Sequence, residues 1–309
     1  MRTVNFLQMA KVLITGGTGL IGIHLRRALQ ESGYEVAVLS RTNKIDDEFK
    51  TYLWDLDKNE IDKKAINSVD YIIHLAGVNI AEKRWTSKRK QLILDSRIKS
   101  GELILNNIDR DNSLLKAYIT ASGTGFYGAV TSDQIFSEGD SAASDFLGQV
   151  CEKWEQVADQ FTEKGIRSVK IRTGVVISRQ GGALKKILVP VKLGIASAIG
   201  SGNQYFPWIH IEDLCGIYIK AIEDTKMIGA YNAAAPEYVT NRQFTQTIAR
   251  HLKKPFWFPN IPSFAIRILF GEMSQMLLYG SRVSSEKVLN SGFVFKYPKL
   301  QEALKQLIG

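Results

Sequence analysis

Short apolar runs alternate along this chain with segments whose apolar residues recur every three or four positions. Val12, Leu13 and Ile14 form an unbroken run, the pattern of a strand buried on both faces of a parallel sheet. Leu20, Ile21, Leu25, Ala28 and Leu29 then share one helix face, and Gly33 stops that helix. The same alternation predicts strands at 35–40, 50–54, 71–75, 117–120 and 169–172, with long helices at 88–107 and 150–164. After about residue 180 the pattern loosens. A helix runs from Gly181-Gly182 to Leu193, a Gly/Ser-rich loop fills 194–204, and Thr240 with Gln243 forms a capping-box pattern heading a helix to Leu252. The aromatic stretch 255–262 suits a strand or extended loop, followed by helices at 263–278 and 284–290. The expected fold class is α/β: a Rossmann-type, doubly wound parallel sheet. The sheet domain is expected to span 1–180, with a return near 205–235, and 181–309 to form mainly a smaller lobe over the carboxyl edge of the sheet, the side on which such folds bind their ligands.

The turn between the first strand and helix, Thr15-Gly16-Gly17-Thr18-Gly19-Leu20-Ile21-Gly22, carries the first candidate chemistry. Gly16 suits a tight turn, Gly19 lets backbone approach a diphosphate, and Gly22 lets the helix sit close to the strand. With Thr18, Leu20 and Ile21, these residues form the expected phosphate-binding turn, because a helix N-terminus offers unpaired N–H groups to an anion. The second strand ends Leu39-Ser40-Arg41. An arginine there matches a 2′-phosphate, whereas an acidic residue would select the free ribose hydroxyl, so NADP is expected over NAD. Asp55 is placed to accept from the adenine amino group, and Leu75, Ala76 and Gly77 to pass beneath the cofactor.

Charge and composition narrow the partners. The chain has 309 residues, 45% of them hydrophobic, and a net charge of +9. Basic and acidic residues balance at 19 each through residue 150; the remaining 21 basic and 12 acidic residues place all the excess in the second half. That excess fits either an anionic small molecule or a lysine-rich solvated surface. Nucleic acid is not expected, for want of a basic run or a binding motif. No apolar run nears the roughly 20 residues of a membrane span, so no membrane partner is expected. The N-terminus does not read as a signal peptide, and residues 1–8 read as a loosely held extension. Two cysteines suit a reducing cytoplasm, and the four histidines and two cysteines show no metal-ligand spacing.

The glycine turn, His74-Leu75-Ala76-Gly77, Tyr127-Gly128 and Trp208-Ile209-His210-Ile211-Glu212-Asp213 resemble the extended short-chain dehydrogenase/reductase superfamily. Arg84-Trp85-Thr86, Ser96-Arg97, Ala121-Ser122-Gly123, Trp154-Glu155, Arg172-Thr173-Gly174-Val175-Val176 and Gly181-Gly182-Ala183-Leu184 narrow the likeness to its atypical "epimerase family protein" branch. The resemblance spans essentially the whole chain. It implies an NADP-binding protein, cytosolic or organellar, on an unassigned small molecule. It also implies a homodimer through the helices near 88–107 and 150–164, and some relatives are linked to bacterial or plastid division.

The chain departs from the superfamily's chemistry. Ordinary members carry a tyrosine for proton transfer and, four residues later, a lysine that holds the ribose and lowers the tyrosine pKa. Matching Glu155 to the glutamate that follows this pair puts Leu147 at the tyrosine position and Cys151 at the lysine position, and neither side chain can substitute. Ser122, or Thr124 beside it, and Tyr127 are the candidate catalytic residues; Cys151 reads as packing. Arg84, Trp85, Gln204, Trp208 and His210 are candidates for a pocket holding an anionic, partly flat substrate. Two functions follow: an oxidoreductase or epimerase-like enzyme with an unusual proton donor, or a non-catalytic NADP-binding regulator or scaffold, tied through the resemblance to cell division.

Overall fold

The computed structural model describes residues 9–42, 48–109 and 114–309; the extension expected at 1–8 lies outside them. In chain order the strands are β1 (Lys11–Thr15), β2 (Glu35–Ser40), β3 (Lys50–Asp55), β4 (Glu60–Ile61), β5 (Tyr71–His74), β6 (Ala117–Gly123), β7 (Ile135–Phe136), β8 (Arg167–Thr173), β9 (Val175–Ser178), β10 (Trp208–His210), β11 (Gly229–Ala233) and β12 (Arg282–Val283). The helices of the sheet layers are α1 (Leu20–Glu31), α2 (Lys63–Asn67), α3 (Ser87–Asn106) and α4 (Phe146–Glu163). They continue with α5 (Gly182–Lys192), α6 (Ile211–Glu223), α7 (Asn241–His251), α8 (Ser263–Phe270), α9 (Gln275–Leu278), α10 (Glu286–Asn290) and α11 (Leu300–Ile308).

Eight strands form one sheet in the order β11-β8-β6-β5-β1-β2-β3-β4. All its pairings are parallel except the last, where β4 turns back antiparallel on β3. That hairpin was not legible in the pattern; Asn59 (φ 57°) makes its reversal, and the Asp55 carboxylate ties the loop. β1 pairs with β2 on one side and with β5 on the other. Strand order therefore reverses at β1, and the crevice beyond the carboxyl ends of β1 and β5 is the switch point at which such sheets bind ligands.

Period-two alternation divides β1 between two cores. Val12 and Ile14 join Leu25 and Leu29 of α1 and Leu214, Ile217 and Tyr218 of α6. Leu13 faces the opposite layer, with Leu103 and Ile104 of α3 and Val157 and Phe161 of α4. Both faces are thus buried, which is why the middle of the strand, Val12–Ile14, is an unbroken apolar run. A third core packs Leu184 and Val191 of α5 against Trp208, Phe244, Ile248 and Leu304. The expected capping box is formed at α7, where Thr240 and Gln243 each accept from the other's backbone N–H.

The helix expected over 263–278 is interrupted. Gly271 adopts φ 60°, a left-handed conformation that ends α8 and turns the chain through one 3₁₀ turn into α9. The apolar periodicity continues across the break, so the pattern alone merged two helices. The stretch at 255–262 is extended loop, touching a neighbour through an isolated bridge from Ile261 to Ile199.

Candidate active site and cofactor crevice

The crevice is built by close backbone approach. A Cβ on Gly22 would lie 2.4 Å from the Gly16 carbonyl oxygen, and one on Gly16 (φ 70°) would lie 2.9 Å from the Leu75 backbone. A Cβ on Gly17, a fourth glycine not singled out in the sequence, would meet the Val38 side chain at 2.8 Å. Gly19 is the N-cap of α1 and supplies no side-chain cap, and α1 has no acidic residue in its first turn. Its leading N–H groups, with Thr18 and Gly19 exposed at the mouth, are left for an external anion. Ile21 packs inward on the core, while Leu20 lies against the Gly181-Gly182 turn that heads α5.

A buried relay holds the floor. Thr15 Oγ1 accepts from the N–H groups of Leu75 and Ala76, at 3.2 and 3.1 Å, and lies 2.8 Å from His74 Nδ1. His74 Nε2 lies 3.0 Å from Ser100 Oγ on α3, whose hydroxyl donates to Ser96 carbonyl. Ser100 therefore accepts from Nε2–H, and Thr15 donates to an unprotonated Nδ1. Burial pushes the His74 pKa down to about 3. The unfolded chain takes up a proton below about 6.5 that the folded chain refuses, so this group's share of stability is full above 6.5 and falls toward pH 3. Replacing His74 with Gln should flatten the fall in melting temperature between pH 7 and pH 5; an unchanged slope refutes the assignment.

Gly77 is exposed above Arg97, and a Cβ there would meet the guanidinium carbon at 3.0 Å. Arg97 donates to the carbonyls of Ile93 and Val78 and stacks over Trp154. Burial lowers its pKa to about 10. Ser96-Arg97 was visible in the sequence without a role; it buttresses the Leu75-Ala76-Gly77 edge.

Arg41 is exposed just past β2, with no acidic residue ending that strand. Asp55 Oδ1 accepts from the N–H groups of Asp57 and Lys58, which holds its carboxyl below the usual range.

The structure draws the catalytic candidates into a buried chain rather than toward open space. Ser122 Oγ donates to Glu155 Oε1 at 2.7 Å. Glu155 takes two bonds of 2.9 Å from Arg172, whose third donor reaches Tyr127 OH at 3.0 Å. Tyr127 in turn donates to Asn232 at 2.7 Å. Tyr127 is 2% exposed and Ser122 5%. Burial pushes the Tyr127 phenol up to about 12 despite the Arg172 cation. Thr124, half-buried in the one-turn helix after β6, stands outside this chain of bonds. Cys151 lies buried against Gly123, its thiol raised to about 11 by burial and the nearby Glu155, and Leu147 packs on Gly125.

The pocket candidates divide likewise. Arg84 is exposed, its guanidinium against Gly271 at the α8 break. Trp85 is buried edge-on to Phe146, its ring N–H bonded to the Ile80 carbonyl. Gln204 is buried and donates to the carbonyls of Ile199 and Leu277, clamping the 194–204 loop to the lobe. Trp208 is wholly buried in the third core. His210 caps α6 by accepting from Glu212 N–H, with Gln306 on its other nitrogen. Of the five, only Arg84 offers a side chain to solvent. Among the described residues no group of His, Cys, Asp or Glu is arranged to hold a metal.

Residues 12–234 match the model of the NAD dependent epimerase/dehydratase family, and residues 261–307 match a domain of unknown function. The Bacillus subtilis epimerase family protein YfhF is 37% identical over 300 residues, covering 96% of this chain and 97% of that one. A crystal structure of human epimerase family protein SDR39U1 with NADPH superposes with a TM-score of 0.86 at 34% identity, covering 96% of this chain and 98% of that one. The Thermus thermophilus UDP-glucose 4-epimerase complex with NAD shares the fold, with a TM-score of 0.73 at 19% identity over 97% and 99% of the two chains. Crevice, sheet order and sequence agree: the chain belongs to the NAD-dependent epimerase/dehydratase family, within the short-chain dehydrogenase/reductase fold.

Proposed function

We propose that this protein binds NADP(H) in preference to NAD(H) and acts as an oxidoreductase or epimerase-like enzyme on a small molecule. The observation that carries the reading is the glycine cradle at the switch point, too tight for any Cβ at Gly16 or Gly22 and opening on an uncapped helix N-terminus. The NADPH held by the human relative supports it. Gly16, Thr18, Gly19, Leu20, Ile21 and Gly22 hold the diphosphate, Arg41 the 2′-phosphate, and the Leu75-Ala76-Gly77 edge lies beneath. The bound dinucleotide supplies or takes a hydride. Tyr127 and Ser122 brace the end of β6 through Glu155 and Arg172, and Thr124 is the hydroxyl left to orient a substrate oxygen.

Replacing Arg41 with Ala is expected to weaken NADPH binding roughly 10-fold, the scale of one charge-assisted phosphate contact, while leaving NADH unchanged. An unchanged NADPH/NADH affinity ratio, read by titrating cofactor fluorescence, removes the NADP assignment.

A second reading is a non-catalytic NADP-binding regulator or scaffold. Leu147 and Cys151 in place of a proton donor and a cation favour it. NADPH oxidation against aldehydes, quinones and nucleotide sugars separates the two. Turnover that survives Tyr127→Phe and falls with Thr124→Val supports the enzyme; tight binding with no hydride loss across the panel supports the regulator.

A further inference from the structure

The second half of the chain leaves a large apolar surface uncovered. Leu193, Trp257, Phe264 and Ile268 are between 67% and 72% exposed. They lie on two segments tied together: Gly200 N–H bonds the Ile261 carbonyl, Ile261 N–H bonds the Ala198 carbonyl, and Ser197 donates to the Pro259 carbonyl. Helix geometry aligns the outer positions. On α5, Lys186, Val189 and Leu193 recur at i, i+3 and i+7, opposite the buried Leu184 and Val191. On α8, Phe264 and Ile268 recur at i and i+4, opposite the buried Ile266, with Leu269 on one flank and Arg267 on the other. The aromatic and aliphatic side chains project outward, while Arg267 turns to Tyr279 at the edge of a cavity shared with Glu272 and Gln275.

Charge identifies what covers them. Residues 181–200 and 252–271, which contain both segments, hold six basic residues and no acidic one. Lys185, Lys186, Lys192, Lys253, Lys254 and Arg267 are all exposed, and among the described residues none has a carboxylate within ion-pair distance. A second copy is a poor cover, because a two-fold contact sets each patch against itself and brings the cations together. The helices implied for a homodimer, α3 and α4, carry none of these residues. Protruding aromatic and aliphatic side chains, on segments that also carry exposed lysines, fit an interface that is anionic outside and apolar within.

We infer that the α5–α8 face docks the protein peripherally on an anionic lipid surface, with Trp257, Phe264, Ile268 and Leu193 entering the acyl boundary and the lysines on the headgroups. The expectation of no membrane partner rested on the lack of a spanning segment, and none is needed: among the described residues no helix is long and apolar enough to cross.

Tryptophan placement makes the test specific. Of the five tryptophans, Trp54, Trp85, Trp154 and Trp208 are buried and Trp257 is 70% exposed. The full chain is mixed with phosphatidylcholine vesicles, with and without 30 mol% phosphatidylglycerol, and with lipids brominated on the acyl chains. The expected result is co-sedimentation with the anionic vesicles only, and acyl-chain quenching that Trp257→Phe abolishes without loss of binding. Replacing Lys185, Lys186 and Lys192 with Gln should weaken partitioning by at least about 10-fold, since each surface lysine contributes a several-fold factor. Phe264→Ser with Ile268→Ser should do so by a similar factor; both sets are exposed, and unchanged melting temperatures show they fold. No binding to anionic vesicles overturns the inference. Adsorption without Trp257 quenching overturns it too, as attraction by net charge alone. A concentration-dependent dimer that shields Trp257 in the absence of lipid assigns the face to a second copy instead.

Discussion

Replacing Arg172 with Met is expected to destabilise the protein by about 3–5 kcal/mol, the range for breaking a buried ion pair from one side. Both side chains of the Arg172–Glu155 pair are 5% exposed, and the two bonds between them are each 2.9 Å. Burial alone would weaken the Arg172 charge; Glu155 overrides it and raises the arginine pKa further. With the guanidinium gone, the Glu155 carboxylate keeps only the Ser122 hydroxyl, and Tyr127 loses one of its two partners. The double replacement Arg172→Met with Glu155→Gln removes the stranded charge and should recover more than half of the loss. Urea unfolding of the wild type, the single variant and the double variant measures this. A loss under about 1 kcal/mol would show that the pair is not desolvated as described.

The second large effect is expected at Gly22. A Cβ there meets the Gly16 carbonyl oxygen at 2.4 Å and the Gly17 Cα at 2.6 Å. Both obstacles are backbone and cannot swing aside, so Gly22→Ala must push α1 off β1. A displacement of that kind costs about 1–3 kcal/mol in a packed interior. It also moves the helix N-terminus away from the position proposed for the diphosphate, and NADPH affinity should fall about 100-fold, equivalent to roughly 3 kcal/mol. Gly33→Ala is the control. Gly33 has φ 86° but nothing within 4 Å of an added Cβ, so it should cost roughly 1 kcal/mol of stability and leave affinity intact. Equal affinity losses in the two variants would mean that the crevice reports general stability, not local geometry.

These two sites also mark what was legible in the sequence. The glycine turn was readable because its constraint is local: four glycines within seven residues, between an apolar run and a helical stripe. The roles of Ser122, Tyr127, Trp208 and His210 were not, because burial and hydrogen-bond partners decide them and those partners are far along the chain. Tyr127 meets Asn232, 105 residues away, and His210 meets Gln306, 96 residues away. A tyrosine after a strand looks the same in sequence whether its phenol faces a substrate or an arginine. Trp154-Glu155 and Arg172-Thr173 were visible as motifs, yet only the packing of α4 on β8 shows that Glu155 and Arg172 neutralise one another. The merged helix at 263–278 failed differently: the glycine that breaks it sat in plain view, and periodicity outvoted it.

The hydroxyl–imidazole relay from Thr15 through His74 to Ser100 bears on the thermodynamics of ligand capture. It links β1, β5 and α3 by side chains whose rotamers are already frozen in the core. The floor of the crevice therefore loses little conformational entropy when a ligand arrives, since its ordering accompanied folding. Association there should be governed by desolvation and phosphate contacts, with backbone amide exchange at Leu75 and Ala76 slow before any ligand is added.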